Sequence, residues 1–154
     1  MAHEERSGTM LATNRFPKLD MTDNPTGCCP RFIPDDWDRQ QLELKDKLFV
    51  KGTTVSLFHI PLNIGRMMER VWSRISDAKA AEDNVAVLSW DPSPWKGEHL
   101  FSVNRDVPGE ESIRLSGHFM TRVFDGPFRD APKWTDKMKT YVSEQGKTVG
   151  RVYF

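Results

Sequence analysis

The stretch Leu48-Phe49-Val50-Lys51-Gly52-Thr53-Thr54-Val55-Ser56-Leu57-Phe58-His59-Ile60-Pro61 runs, through Leu62, into Asn63-Ile64-Gly65-Arg66-Met67-Met68-Glu69-Arg70-Val71-Trp72-Ser73-Arg74-Ile75. The first part is rich in β-branched and aromatic residues and reads as a strand over 48–60. Gly52 within it suggests a bulge or bend, and Pro61 ends it. In the second part Ile64, Met67, Met68, Val71, Trp72 and Ile75 recur at offsets 0, +3, +4, +7, +8 and +11, one face of a 3.6-residue period. Asn63 stands where an N-cap belongs, so the spacing predicts a helix over 64–80.

Towards the C-terminus the same alternation of elements continues. Val85 to Trp90 is short, apolar and β-prone, and Asp91-Pro92-Ser93-Pro94 breaks it, because prolines cannot continue a ladder. Residues 98–105 read as the returning strand, closed by Val107-Pro108-Gly109. A strand over 112–124, irregular at Gly117, leads through the turn Asp125-Gly126-Pro127 to a second helix over 132–145. Its stripe is Trp134, Met138, Tyr141 and Val142, with Asp130 as candidate N-cap and Gly146 where a C′ glycine belongs. Residues 147–154 read as a further strand. The order β-α-β-β followed by β-α-β is an α+β pattern with weak internal repetition, at about 47–106 and 110–154.

On the N-terminal side, 1–18 is polar and without periodicity, the signature of a disordered tail. Residues 19–46 are dense in turn formers yet hold Phe32, Ile33 and Trp37, which suggests a strap with Phe32 and Trp37 docked on a domain spanning 47–154. Twenty-two basic residues balance twenty-two acidic ones, so no basic face is expected for nucleic acid, and no membrane surface is implied. No run approaches the roughly 20 apolar residues of a membrane span, and Met1 to Arg15 lacks a secretory apolar region. The expected location is cytoplasmic. The only cysteines, Cys28 and Cys29, are adjacent, which excludes a disulfide scaffold and fits zinc ligation poorly. No His-x-His or HExxH spacing supports a metal, and no cofactor is expected.

The run Gly117-His118-Phe119-Met120-Thr121-Arg122-Val123-Phe124-Asp125-Gly126-Pro127-Phe128 before a helix resembles the second half of GyrI-like domains. Trp90-Asp91-Pro92 through Glu98-His99-Leu100-Phe101-Ser102-Val103 is similar to the first half. The resemblance covers 47–154 and extends to bacterial proteins labelled as hydrolases. It implies paired β-α-β-β units, an antiparallel sheet with two helices on one face, and a groove that takes a small amphipathic ligand. It also implies a final strand that this sequence lacks after Phe154, which leaves an edge open to homodimer pairing.

Glu98 is the leading candidate for the site. In a groove its pKa would rise by burial, and it would either neutralise a bound cation or activate water as a general base. The competing reading is a solvated strand-end glutamate. His99 and His118 are candidate catalytic partners, although a lone histidine is more often a hydrogen-bonded structural residue. His59, near Pro61, is a weaker candidate. Trp72, Trp90, Trp95, Trp134 and Tyr141 are candidate ligand contacts, although Tyr141 also lies on a core stripe. No serine sits in Gly-x-Ser-x-Gly and no phosphate loop is present, so serine hydrolysis and nucleotide chemistry have no sequence support. Three functions remain: a small-molecule binder, a hydrolase of a small electrophile with Glu98 activating water, and an edge-strand interaction module.

Overall fold

Strand and helix periodicities alternate along the chain, and the computed structural model, which describes residues 9–25 and 30–154, resolves them into discrete elements. These are α1 (Pro34–Trp37), β1 (Gln41–Leu57), β2 (Ile60–Pro61), α2 (Ile64–Asp77), β3 (Val87–Ser93), β4 (Lys96–Ser102), β5 (Glu111–Met120), a 3-10 turn (Phe128–Asp130) and α3 (Ala131–Glu144). The class is α+β. An antiparallel five-stranded sheet has the order β2-β1-β4-β3, with β5 also pairing with β1. Cys28 and Cys29 lie outside the described residues.

The long strand differs from its sequence reading in start and shape. β1 begins at Gln41, ends at Leu57, and returns through Phe58-His59 to the two-residue β2. Its irregularity sits at Asp46, whose φ is +47°, and not at Gly52, where the register to β4 runs unbroken from Phe49↔Ser102 to Val55↔Lys96. Gly52 serves a close approach instead: a Cβ there would come within 3.0 Å of the Met67 sulfur on α2. That approach lets Met67, Val71 and Ile75 bury against Val50, Phe101, Val103 and Val107. Each such large apolar side chain contributes about 1.5–3 kcal/mol.

Other boundaries moved for local reasons. Asn63 occupies the α2 cap position, but its Oδ1 accepts the Val55 N–H at 2.9 Å and not a helix N–H. α2 ends at Asp77, and Lys79 takes a φ of +52° before Ala80 is buried in the core. β3 runs past Pro92 to Ser93, because a register shift between Trp90 and Ser93 takes the proline out of the ladder. Residues 147–154 form no strand. Phe154 and Ser89 nevertheless exchange both backbone hydrogen bonds, at 2.7 and 2.8 Å. α3 closes as read, with Gly146 at φ +70°.

The chain forms two compact units, one of residues up to Leu44 together with Gly117–Val152, the other of Lys45–Ser116 with Tyr153–Phe154. In the first, part of the stretch expected as a tail is paired: Met10 bridges Gln41, and Phe16 is buried and stacks on Trp37 at 6.3 Å. Phe32, expected to dock, is exposed. In the second unit the helix α2 covers one face of β1 and β4 through the contacts above. Among the described residues no helix is long and apolar enough to cross a membrane.

Candidate functional site

Successive strand residues point to opposite faces of a sheet. On β4 this places Gly97, His99 and Phe101 on the face toward α2, and Glu98 and Leu100 on the other. Glu98 and His99, read from sequence as possible partners, therefore stand back to back.

The registers Ser89↔His99, Gly52↔His99 and Thr54↔Gly97 decide what surrounds the imidazole. Glycine opposite it leaves room, and hydroxyl side chains fill both flanks. Ser89 Oγ lies 2.8 Å from His99 Nδ1, and Thr54 Oγ1 lies 3.2 Å from Nε2. His99 is buried, and burial pushes its pKa below the ordinary value while the Asp91 charge partly opposes the shift. The ring is thus neutral at pH 7. One nitrogen then accepts and the other donates: with Nδ1 accepting from Ser89, Nε2–H donates to Thr54.

Gly97 leaves a polar cradle beside this ring. A Cβ on Gly97 would lie within 3.0 Å of Thr54 Oγ1 and 3.2 Å from both Asp91 Oδ1 and His99 Nε2. A hydroxyl, a carboxylate and an imidazole nitrogen converge on the space that the missing side chain leaves. The other Asp91 oxygen holds His59 Nδ1 at 2.9 Å. His59 and Phe58 form the β1–β2 turn, with φ of +66° and +48°. A left-handed conformation costs a non-glycine residue about 1–2 kcal/mol, and hairpin turns of this kind ordinarily use Asn-Gly. The turn is tied to the β3–β4 connection by His59 N–H to Pro94 O (2.9 Å) and Ser56 N–H to Trp95 O (2.8 Å), and the Phe58 and Trp95 rings meet at 5.1 Å.

Glu98 has a different environment from the one expected. Its Oε2 accepts the Trp90 indole N–H at 2.9 Å, and its Oε1 faces Lys96 at 3.2 Å and Lys51 at 3.9 Å. Burial pushes its pKa up, but the Trp90 hydrogen bond and the two ammonium groups together outweigh burial and hold it below the usual carboxylate value. The expected rise is corrected: Glu98 is an anchored carboxylate and a weak base. Trp90 is held by that bond, and Trp72 packs edge-on against Phe101 at 5.2 Å.

The remaining candidates lie in the other unit. His118 Nε2 pairs with Gln41 Oε1 at 3.0 Å, exposed. Trp134 stacks on Phe124 at 6.2 Å. Tyr141 lines an open groove of about 360 Å³ with Arg122, Phe124, Asp136, Lys137, Thr140 and Glu144. The Arg122 guanidinium sits 5.0 Å from the Tyr141 ring centroid, and its Nε donates to Asp38 at 3.0 Å. Among the described residues no group of three or more His, Cys, Asp or Glu is arranged to hold a metal.

Sequence reasoning passed over Ser89, Thr54 and Asp91 as site residues. The available signal was the β3–β4 hairpin, whose register pairs Ser89 with a histidine ten residues on. A family model described as bacterial hydrolase matches residues 19–154. No curated protein and no solved structure matches the chain.

Proposed function

The chain belongs to the bacterial hydrolase family, and from that premise we propose that it hydrolyses a small acyl electrophile such as an ester, with Ser89 as nucleophile and His99 as general base. The observation that carries this reading is the 2.8 Å approach of the Ser89 hydroxyl to a buried, neutral imidazole. A serine hydroxyl is a weak nucleophile unless an adjacent base takes its proton, and a neutral imidazole can do so. As Ser89 Oγ attacks the carbonyl carbon, its proton passes to Nδ1. The imidazolium then protonates the leaving alcohol as the C–O bond breaks. Water next attacks the acyl-serine, gives its proton to the same nitrogen, and releases the acid. Asp91 and Thr54, on the Nε2 side, stabilise the transient positive charge.

Turnover of p-nitrophenyl acetate by the purified chain tests this. Loss of the base or nucleophile costs on the order of a hundredfold or more in kcat/KM, so Ser89→Ala and His99→Gln are both expected to fall by that factor. Activity that survives in Ser89→Ala but not in His99→Gln assigns the attack to a water in the Gly97 cradle. Activity that survives both removes this centre from the chemistry.

A second reading is a binder of small amphipathic molecules, supported by the groove at Tyr141 and Arg122 in the other unit. A ligand at a hundred times its Kd would stabilise the chain by about 2.7 kcal/mol. Such a shift, lost in Tyr141→Ala and without product, favours binding alone.

A further inference from the structure

We infer that the Phe58–Trp95 pair at the hairpin tip is the subsite for the apolar part of the substrate, so that the chain prefers esters of longer or aromatic acids over acetyl esters. The inference rests on the Ser89–His99 reading and adds the substrate class to it.

Three observations converge. First, Phe58 and Trp95 are among the large apolar side chains left exposed, at 70% and 54%, yet they pack against each other at 5.1 Å. An aromatic pair fixed in this way offers a rigid apolar face at small entropic cost. Second, two consecutive residues of the turn, Phe58 and His59, hold left-handed backbones that glycine or asparagine would adopt more easily. Strain of this kind persists where the side chains displayed are used. Third, the pair is continuous with the reacting centre through one carboxylate. Asp91 places Oδ2 on His59, the neighbour of Phe58, and Oδ1 at the Gly97 cradle beside His99 Nε2. Asp91 also stands two residues from Ser89 on β3, about 7 Å along an extended strand. An acyl chain of some six carbons, attacked at Ser89, extends about that far, towards the β3–β4 connection that carries Trp95.

The apolar side chains of Val55, Leu57, Ile60 and Leu62 do not belong to this subsite. Pairing sets Leu57 opposite Ile60, on the face of β1 that carries Lys51 and Thr53 and away from His99.

The test is kcat/KM across p-nitrophenyl acetate, butyrate, hexanoate and octanoate, for the wild-type chain and for Phe58→Asn and Trp95→Ser. Asparagine favours the left-handed turn, so the first variant retains the hairpin. A methylene transferred to an apolar face is worth roughly a two- to fourfold gain. The expected result is a rise of tenfold or more from acetate to hexanoate, carried in KM, and a collapse of that ratio in both variants. A flat profile in an active wild-type chain overturns the inference and leaves the Ser89–His99 reading intact. Binding is read separately on Ser89→Ala, with 4-phenylbutyramide as an inert probe followed by NMR of the Phe58 and Trp95 rings. Shifts at those rings support the subsite even where no ester turns over. Their absence at millimolar probe overturns it.

Discussion

Gly97 leaves little room for a side chain, and Gly97→Ala tests how the His99 surroundings are built. The new methyl would come within 3.0 Å of Thr54 Oγ1 and 3.2 Å from Asp91 Oδ1 and His99 Nε2. Thr54 is 1% exposed and sits in the β1–β4 ladder, so its hydroxyl can escape only by rotating away from the imidazole. That rotation forfeits the 3.2 Å Thr54–His99 bond, worth about 0.5–1.5 kcal/mol. Overpacking a filled interior adds roughly 1–3 kcal/mol. The sum, about 1.5–4.5 kcal/mol, corresponds to a fall in Tm of roughly 3–18 °C for a chain of this size. Urea unfolding of wild type, Gly97→Ala, Thr54→Ala and the double variant measures it. If the hydroxyl is the obstacle, Thr54→Ala relieves the strain and the cycle shows a coupling of about 1 kcal/mol or more. A neutral Gly97→Ala, or strictly additive variants, would refute the placement of Thr54 over Gly97.

Three further outcomes follow from the same contacts. His99 has a folded pKa below its ordinary value of 6.5, so the unfolded chain takes up its proton first as pH falls. Its contribution to stability is complete above about pH 6.5 and is lost as pH falls from there through the folded value. The acid limb of kcat/KM has its midpoint below the ordinary imidazole value, and both effects vanish in His99→Gln. Glu98→Gln removes an anchored charge and lowers stability by about 1–3 kcal/mol at pH 7, while ester turnover stays near wild type. Because the folded pKa of Glu98 is depressed, its contribution is present above the unfolded value near 4.5 and is lost as pH falls through the folded one, and denaturation at successive pH values checks this. Phe58→Asn exchanges backbone strain for a lost aromatic contact, so its unfolding free energy stays within about 1 kcal/mol of wild type. A larger loss would mean that the tip carries stability and not recognition.

The elements with strong periodicity were legible in the sequence. The α2 stripe packs as read, with Met67, Val71 and Ile75 buried, and α3 ends at Gly146 as read. The hairpin of β3 and β4 was legible too, but not its register. Asp91-Pro92-Ser93-Pro94 looks like a strand breaker, whereas a one-residue register shift between Trp90 and Ser93 keeps the ladder going, with Ser89 opposite His99. Without that pairing Ser89 is an ordinary strand serine. The sign of the Glu98 shift was illegible for a different reason. Two of its partners are near in sequence, but Lys51 arrives from β1, and it is the Trp90 hydrogen bond together with the two ammonium groups that overturns the effect of burial. Strand alternation alone could have separated Glu98 from His99, since adjacent strand residues face opposite sides. The division into two units falls inside β1 and β5, after Leu44 and after Ser116; the sequence marks Gly117 as irregular but reads 41–46 as part of a strap and not as the start of β1.

The central claim is that Ser89 is activated by His99, and covalent capture tests it most directly. Wild-type chain treated with an alkyl fluorophosphonate at neutral pH and mapped by peptide mass spectrometry is predicted to carry a single adduct on Ser89. The adduct should be absent in Ser89→Ala and strongly slowed in His99→Gln. Ester turnover without any adduct on Ser89, or an adduct whose rate is indifferent to His99, would contradict the account.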